Sequence, residues 1–548
     1  MIKLNTPIHL PSIRPLFRWR VLRVVFFVGV CLVTLVGLFY AEEDVRGKHA
    51  WNAYVREQAG KGEKFSLAAF IPPAVPDDQN LALCPLLRPI LDFNFELVSA
   101  GQKPRLAAHP NRWRDTNGWN RAQRLDRTWS VSEYHAHHQS DKEGRARANT
   151  AAELSNRLTS KPLLTNGWID LVGWQAYYRT GTNLAGVEPA VIAANDVLFA
   201  LRHLEPDLAE LQREAERRPL SRWAIYYETN APWGILLPHL ARGKGIVALL
   251  QLRSAARLAA GDTAGAVADV DLGFRIAESY RDEPFLISHL VRNACCQLLL
   301  QPLKEGLVRH QFSDAQLLEL QKTVAAVDLL AAYQYCLRAE RGWNSDWNLY
   351  AKQNRGLDWE SIFGSGDLAS SYNSLAKVLR FAPAGWIYQS QVTLMHLHDQ
   401  FAFPAVDVRA RRVHPEMAVA SEAALDQLHG LCSLLPRALF PDLVSLVRKF
   451  AHDQNQLDDA VIGCALERYH LVHRSYPETL DALVPAFITN PPHDLLSGQP
   501  LQYHRTEGGL YSLESTEWKV EGAKSHRAQS RGFEFKVEDW TWRLPGEG

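Results

Sequence analysis

The pattern of hydrophobic and polar positions divides the chain into one long apolar run, a helical body and a short strand-rich end. The apolar run covers residues 21–40, and no charged residue occurs between Val24 and Tyr40. Twelve of those seventeen residues are Val, Leu or Phe, which at roughly −0.4 kcal/mol each favours membrane insertion by about 5 kcal/mol. At ~1.5 Å per residue the run, with Arg23 at its edge, spans about 30 Å, the thickness of a bilayer's hydrocarbon core. We therefore predict a transmembrane helix over 21–40.

Helical spacing of apolar residues dominates the chain from about 161 to 475. Asp262 is a typical helix N-cap after the turn at Gly261, and Ser313 begins a capping-box pattern with Gln316. Pro284 suits the first turn of a helix. Helices are also predicted at 42–59, 189–217, 232–260, 263–280, 326–353, 367–380, 386–403, 416–431 and 441–474.

The last part of the chain has a different pattern. It predicts a short capped helix at 477–484 and strands at 501–505 and 510–513, joined through Gly508-Gly509. Clean alternation predicts a third strand at 533–537. Trp540 and Trp542 would cover one face of this small antiparallel sheet.

The predicted fold class is mainly α, with a single N-terminal transmembrane helix, an antiparallel α-helical array and a small C-terminal α+β module with an antiparallel sheet. The array is predicted to be partly tetratricopeptide-like. The predicted parts are a cytoplasmic basic tail at 1–20, the transmembrane helix at 21–40, a juxtamembrane helix and Pro-rich linker at 41–100, an irregular polar insertion at 101–160, the helical body at 161–475 and the sheet module at 476–548.

The charges that flank the apolar run are asymmetric. Five bases and no acid precede it, whereas Glu42, Glu43 and Asp44 follow it. The positive-inside rule places the N-terminus in the cytoplasm and the bulk of the chain in the periplasm, which predicts a single-pass protein of a bacterial inner membrane. The alternative is a cleaved signal peptide. The bulky residues of Gly37–Ala41 disfavour it, because the protease requires small residues before the cut.

Composition narrows the classes of partner. With 548 residues, 47% of them hydrophobic, the chain can bury a large core in two or three domains. Beyond residue 41 it carries 55 bases and 60 acids, a mildly acidic balance that argues against nucleic acid as a partner. The seven cysteines form no CxxC pair, which favours buried small side chains over a disulfide framework or a metal cluster.

Candidate catalytic chemistry is sparse. No Walker A, GxGxxG, GxSxG or HExxH pattern occurs. His135, His137 and His138 form the densest histidine cluster, but they lack ligands from separated segments, and solvated side chains are the simpler interpretation. Ser374 and Lys377 spell the SxxK of penicillin-binding enzymes without the strand that completes such a site. We predict no catalytic residue and no cofactor.

The C-terminal part resembles the tail of type II secretion pseudopilins. The matching residues are Tyr476-Pro477, Asp494, Gly498-Gln499-Pro500-Leu501, Tyr503 and Leu510-Tyr511-Ser512-Leu513. The resemblance implies a calcium loop after the Tyr-Ser-Leu, where this chain reads Glu514-Ser515-Thr516-Glu517. Glu514, Glu517 and Glu521 are therefore the candidate calcium ligands, in a loop that departs from the family's pattern.

Two further resemblances cover the body. The small residues Gly261, Ala266 and Gly273 are similar to those of one tetratricopeptide unit, although Arg253 and Pro284 depart from that pattern. Four segments resemble a group of large membrane-anchored bacterial proteins, which implies an anchor, a helical body and a C-terminal sheet but no activity. These segments are KGEKFSLAAFIPPAVPDDQN (61–80), LLPHLARGKGIVALLQLRSAARLAAGDTAGAVADV (236–270), YRDEPFLISHLVR (280–292) and SYPETLDALVP (475–485).

The sequence thus predicts a non-enzymatic, membrane-anchored periplasmic scaffold that presents a groove to a protein or peptide partner of the envelope. Its other predicted contact is the lipid bilayer, through residues 21–40. One alternative is an envelope hydrolase acting on peptidoglycan or glycan. Another, based on the pseudopilin-like tail, is an accessory protein of a secretion apparatus.

Overall fold

Helices dominate the part of the chain that the structure describes, and small antiparallel sheets complete it. The computed structural model describes residues 19–96, 105–106, 112–137, 142–160, 164–165, 167–181, 184, 188–229, 234–353, 381–506, 509–516, 518 and 541–543. Contacts divide the chain into two compact units. The first comprises residues 1–63, 351–394 and 429–438, and the second comprises 64–350, 395–428 and 439–548.

The helices and strands are numbered in chain order. The helices are α1 (Trp19–Ala59), α2 (Thr116–Arg124), α3 (Trp129–His137), α4 (Lys142–Ser160), α5 (Leu171–Arg179), α6 (Ala193–Leu201), α7 (Glu205–Arg217), α8 (Pro238–Ala259), α9 (Thr263–Glu278), α10 (Leu286–Val308), α11 (Asp314–Ala325), α12 (Leu329–Gln353), α13 (Ala384–Leu397), α14 (Pro415–Gln427), α15 (Leu434–Leu439) and α16 (Leu443–His473). The strands are β1 (Phe95–Glu96), β2 (Arg105–Leu106), β3 (Leu164–Thr165), β4 (Trp168–Ile169), β5 (Val406–Asp407), β6 (Arg412–Val413), β7 (Gln502–Arg505), β8 (Tyr511–Glu514) and β9 (Thr541–Arg543).

Helix α1 contains the predicted membrane-spanning run. Its segment Leu22–Ala59 is long and apolar enough to cross a membrane, with a mean hydropathy of 2.6 over its most apolar window. None of that window is buried inside the protein. The helix continues without a break to Ala59, as the pattern of residues 42–59 predicted.

Beyond the apolar run, α1 packs closely against the start of α13 within the first unit. The side chain of Asp44 accepts a hydrogen bond of 2.7 Å from the backbone N–H of Gly385. The buried carboxylate of Glu43 pairs with Arg46 and accepts hydrogen bonds from Trp386 Nε1 at 3.1 Å and Gln389 Nε2 at 3.0 Å. These hydrogen bonds lower the pKa of Glu43 and keep it ionised, and the hydrogen bond from Arg46 has the largest effect.

Glycines allow this approach of the two helices. A methyl group added at Gly47 would overlap the backbone carbonyl of Gly385. One added at Gly385 would overlap the carbonyl of Glu43. Because backbone atoms surround both positions, no rotation of a side chain can make room for a Cβ.

We therefore expect Gly47→Ala to destabilise the α1–α13 contact by about 1–3 kcal/mol, the usual cost of overpacking. Hydrogen exchange of the α13 amides should become faster in the variant. The matched control is Gly37→Ala, because nothing lies within 4 Å of a methyl group at Gly37. Equal exchange in the two variants would contradict the close packing of Gly47 on Gly385.

The second unit is built on antiparallel helix pairs, of which α8 and α9 are the most extensive. Gly261 has a φ of +85° and forms the turn between them, and the side chain of Asp262 caps α9 through a 2.9 Å hydrogen bond from Gly265 N–H. Helix α10 packs against α8, α9 and α16, and α16 also packs against α11 and α14. The predicted mainly helical body is confirmed, but a tetratricopeptide arrangement is not shown.

The interpretation of residues 101–160 as an irregular insertion is wrong for most of their described part. Helices α2, α3 and α4 lie there. The first of them begins at Asp115, whose side chain accepts a hydrogen bond from Gly118 N–H. Helices α2 and α4 are rich in polar residues, and all three helices bury few apolar residues, among them Ala122, Val131 and Leu158, so the segment has the composition of a polar insertion.

The C-terminal sheet has the order β7-β8-β9, and all of its pairs are antiparallel. Strands β7 and β8 confirm the predicted strands at 501–505 and 510–513. The predicted third strand at 533–537 lies outside the described residues, and the strand that pairs with β8 is β9. Trp542 of β9 is fully buried in this sheet. The predicted helix at 477–484 is a single 3₁₀ turn, Leu480–Leu483.

Candidate interaction groove

An open groove of about 660 Å³ lies in the second unit. We call it the α11–α16 groove. Helices α11 and α16 and the proline-rich loop of residues 485–493 form most of its wall, and Arg411 completes it. Its volume falls within the usual range for ligand clefts, which is roughly 300–1,000 Å³.

The start of α11 is fixed locally before the helix reaches the groove. Ser313 and Gln316 form the predicted capping box, with each side chain bonded to the other residue's backbone. Arg468 of α16 then ties the two helices together, because its Nε donates to Asp314 Oδ1 at 2.8 Å. The pair is on the rim, since the Asp314 side chain is 57% exposed. This ion pair therefore contributes more to the relative position of α11 and α16 than to the stability of the fold.

The loop is anchored to both helices through one backbone carbonyl. The carbonyl oxygen of Phe487 accepts hydrogen bonds from Gln321 Nε2 of α11 at 3.0 Å and from Arg468 Nη1 of α16 at 3.3 Å. The Phe487 ring also packs edge to face on Tyr469 with a centroid distance of 5.5 Å. Pro491 and Pro492 follow in the groove wall and restrict the backbone there. The groove is thus held open by a preformed loop, which lowers the entropic cost of binding.

An ion pair between the half-buried Arg411 and the buried Asp458 forms the other side of the groove. Arg411 Nη2 donates to both oxygens of Asp458, at 2.9 and 2.8 Å. Asp458 also accepts from Gln454 Nε2 at 2.9 Å. Burial raises the pKa of Asp458, an effect that Arg411 opposes. Arg411 itself has a positive φ of 48°, and its carbonyl contacts His493 Nε2 at 3.2 Å.

The balance of charges gives the groove its chemistry. Lys322, Arg411 and Arg468 contribute three cations, and Asp458 is the one carboxylate among the described residues that line it. Arg411 already neutralises that carboxylate, and the exposed Lys322 ammonium is left facing solvent. Guanidinium and ammonium groups beside proline and phenylalanine can bind a carboxylate together with an apolar side chain.

Of the three candidate calcium ligands, the structure describes Glu514, which is not part of the groove wall. Glu514 ends β8, and Glu517 and Glu521 lie outside the described residues. The loop after β8 is instead tied to Asp494, whose Oδ2 accepts from Thr516 N–H at 2.6 Å. Backbone and side-chain donors of Ser497 and Thr516 lower the pKa of Asp494 against the effect of burial. Hydrogen-bond donors thus occupy both oxygens of Asp494.

The other sequence candidates lie elsewhere. His135 is buried in α3, which corrects the interpretation of a solvated cluster for this residue, whereas His137 is exposed and contacts the carbonyl of Glu133 at 2.8 Å. His138, Ser374 and Lys377 lie outside the described residues. Five of the seven cysteines are buried, as expected for small apolar side chains.

One buried cluster combines a serine, a histidine and a glutamate, but its connectivity is structural. Glu283 lies between the other two, accepting from Ser288 Oγ on one oxygen and contacting His239 Nε2 at 2.8 Å on the other. A nucleophile requires the base next to the hydroxyl, and here the carboxylate separates them. All three are buried, so this arrangement satisfies polar groups between helices.

Sequence reasoning missed the groove because its wall joins segments that are far apart in the chain. Arg411 precedes Asp458 by 47 residues, and Gln321 precedes Phe487 by 166. The available signal was the cluster of Pro485, Pro491 and Pro492 after a long helix.

Comparison with known proteins adds no relative, since no protein-family model, no curated protein and no solved structure matches this chain.

Proposed function

We propose that this protein is a membrane-anchored scaffold that binds an acidic peptide segment of a partner protein in the α11–α16 groove. The observation that carries the proposal is the groove itself, which has a preformed proline-rich wall and three cationic side chains. Arg411 and Arg468 are paired with Asp458 and Asp314, and the exposed Lys322 ammonium supplies the charge that a ligand can pair with. An extended peptide with one or two carboxylates complements such a surface in charge and size.

The anchor supports the same proposal. A helix near the N-terminus that is long enough to cross a membrane would hold the groove at the membrane surface. The five bases before the span and the acids Glu42, Glu43 and Asp44 after it support an orientation with the second unit in the periplasm of a bacterial cell. Tethering raises the effective concentration of the groove for a partner in the same membrane.

The groove gives little support to the hydrolase alternative. Most glycoside hydrolases require two carboxyl groups that flank the bond to be cleaved. The described lining residues supply Asp458 alone, and Arg411 engages both of its oxygens. No observation on the described residues favours the secretion-accessory alternative over the scaffold.

The test measures peptide binding by the full-length protein in lipid nanodiscs. Labelled decapeptides that combine Glu and Leu serve as probes, and the same peptides with Gln in place of Glu serve as the uncharged reference. We expect the acidic peptides to bind at least about tenfold more tightly, a difference of about 1.4 kcal/mol, and to weaken as salt is added. Equal binding of both sets would contradict the proposal.

Charge reversal at Lys322 tests the location. Lys322→Glu should weaken binding of the acidic peptides by roughly three- to tenfold, because it places a repulsive charge on the groove wall. The matched control is Arg213→Glu, which reverses an exposed cation on α7 outside the groove lining. A similar loss of peptide affinity in both variants would show that the overall charge of the protein, and not the groove, governs binding.

A further inference from the structure

A second set of side chains in the same unit converges without any role in the α11–α16 groove. His310, Glu467 and His470 each offer a ligand atom, and these atoms all lie within 4.8 Å of one another. Glu467 and His470 are three residues apart on α16, which places them on one face of the helix. His310 comes from the turn after α10, where its backbone has a positive φ of 51°.

The carboxylate at the centre of this set is held in place from two sides. Glu467 is 1% exposed, and its Oε1 lies 2.8 Å from His310 Nδ1. Its Oε2 accepts a hydrogen bond of 2.8 Å from the hydroxyl of Tyr476. Metal-binding carboxylates are typically oriented by such an outer partner, which leaves the other oxygen for the ion.

A simple ion pair between His310 and Glu467 does not explain the position of His470 beside them. Its Nδ1 is buried and makes no hydrogen bond. Its ring lies nearly parallel to that of His310, with a centroid distance of 4.6 Å, and 4.9 Å from the ring of Tyr476. The buried Nδ1 is therefore a donor atom that the surrounding protein leaves unused, within reach of the other two ligand atoms.

We propose that His310, Glu467 and His470 bind a divalent transition-metal ion of the zinc class. Two imidazoles and one carboxylate are a donor set that zinc and non-haem iron share, and three protein ligands leave a fourth position for water. The side chain of His310 is 40% exposed, so this position faces solvent. The ion would tie the end of α10 to α16 and, through Tyr476, to the start of the C-terminal module.

The ligand atoms need only small movements to bind the ion. Two ligands of a tetrahedral zinc ion lie about 3.3 Å apart when each bond is about 2.0–2.1 Å. The present separation of 2.8 Å between His310 Nδ1 and Glu467 Oε1 is a hydrogen bond. When the ion enters, Nδ1 releases its proton to solvent and Nε2 takes one up, so the ring binds as a neutral imidazole. Oε1 of Glu467 is then free to bind the ion, while Oε2 keeps its hydrogen bond from the Tyr476 hydroxyl.

The test uses the full chain, without a polyhistidine tag, in detergent and stripped with a chelator. ZnCl₂ is titrated by calorimetry, and CoCl₂ gives a visible spectrum that reports the ligand geometry. We expect one ion per chain, a thermal midpoint that rises with zinc, and cobalt bands typical of four-coordinate sites. The absence of any zinc-dependent shift in the midpoint would mean that the three residues form an ion pair only.

Substitutions of the three proposed ligands test where the ion binds. His470→Phe keeps the stacked ring and Glu467→Gln keeps the hydrogen bond from Tyr476, so we expect both to fold yet to lose at least about 100-fold in zinc affinity. His310→Ala, in an exposed turn, provides a third variant if either of these is unstable. The control is His473→Phe, a histidine on the same helix outside the set. Unchanged affinity in the first two variants would indicate an adventitious ion only.

Discussion

Asp269→Ala should destabilise the α8–α9 pair by about 3–5 kcal/mol, one of the two largest effects that we expect in this protein. Asp269 is 1% exposed and lies against Arg253 of α8, whose Nε donates to its two oxygens at 2.9 and 3.1 Å. Arg257 Nη1 adds a contact of 3.2 Å. Removal of the carboxylate takes away the buried partner of the Arg253 guanidinium, which is 4% exposed, and leaves it only the half-exposed carboxylate of Glu205 at 3.1 Å.

The measurement is hydrogen exchange along α8 and α9 in the full chain, because exchange reports the stability of this helix pair separately from the rest of the chain. Asp271→Ala is the matched control. Asp271 lies two residues further along α9, is half-buried and makes only a 3.2 Å contact with Thr323, so we expect a change below about 0.5 kcal/mol. Equal effects of the two substitutions would contradict the role of the buried pair.

A double variant separates the ion pair from packing. Arg253→Met with Asp269→Leu replaces both charges by apolar side chains of similar size. Since a buried ion pair pays a desolvation cost close to its Coulomb gain, we expect this variant to match the wild type or exceed it in stability. The pair also explains why Arg253 departs from the tetratricopeptide pattern, since a small or apolar residue there would leave Asp269 with Arg257 as its only cationic contact among the described residues.

Much of the helical body could be predicted because the signals that begin and end a helix are local. Asp262 and the Ser313–Gln316 capping box act on backbone groups within three residues, and both are present as the sequence indicated. The strands β7 and β8 were predictable for the same reason, from short-range alternation around Gly509. The helices in 101–160 were missed because α2 and α3 are only 9 residues long each and polar residues outnumber the few residues that these helices bury.

The candidate sites depend on a different kind of information. Glu467 and His470 are adjacent on a helix and visible in the sequence, but His310 lies 157 residues before Glu467 and joins them only through the packing of α10 on α16. The groove likewise requires the loop at 485–493 to fold back on α11. Pattern reasoning on one sequence sees residues within one element, and long-range convergence of this kind lies outside its reach.

The substitutions Leu32→Arg and Val36→Arg, made together, should release the protein from the membrane. Both residues are exposed on α1 within the apolar run. Each arginine near the centre of the span costs about 3–4 kcal/mol relative to the apolar residue it replaces, so the pair costs about 6–8 kcal/mol. This exceeds the gain of about 5 kcal/mol that the run provides. We expect the variant to be extracted by alkaline carbonate, which the wild type should resist.

Val45→Arg with Asn52→Arg is the matched control. These residues lie on the same helix beyond the apolar run, and both are exposed. Two added arginines there leave the span unchanged, so the control should stay in the membrane fraction. If both double variants remained in the membrane, the first unit would have to bind lipid by surfaces other than residues 21–40. If both were extracted, the charge of α1 as a whole would govern binding, as for a helix that lies on the membrane surface and does not span it.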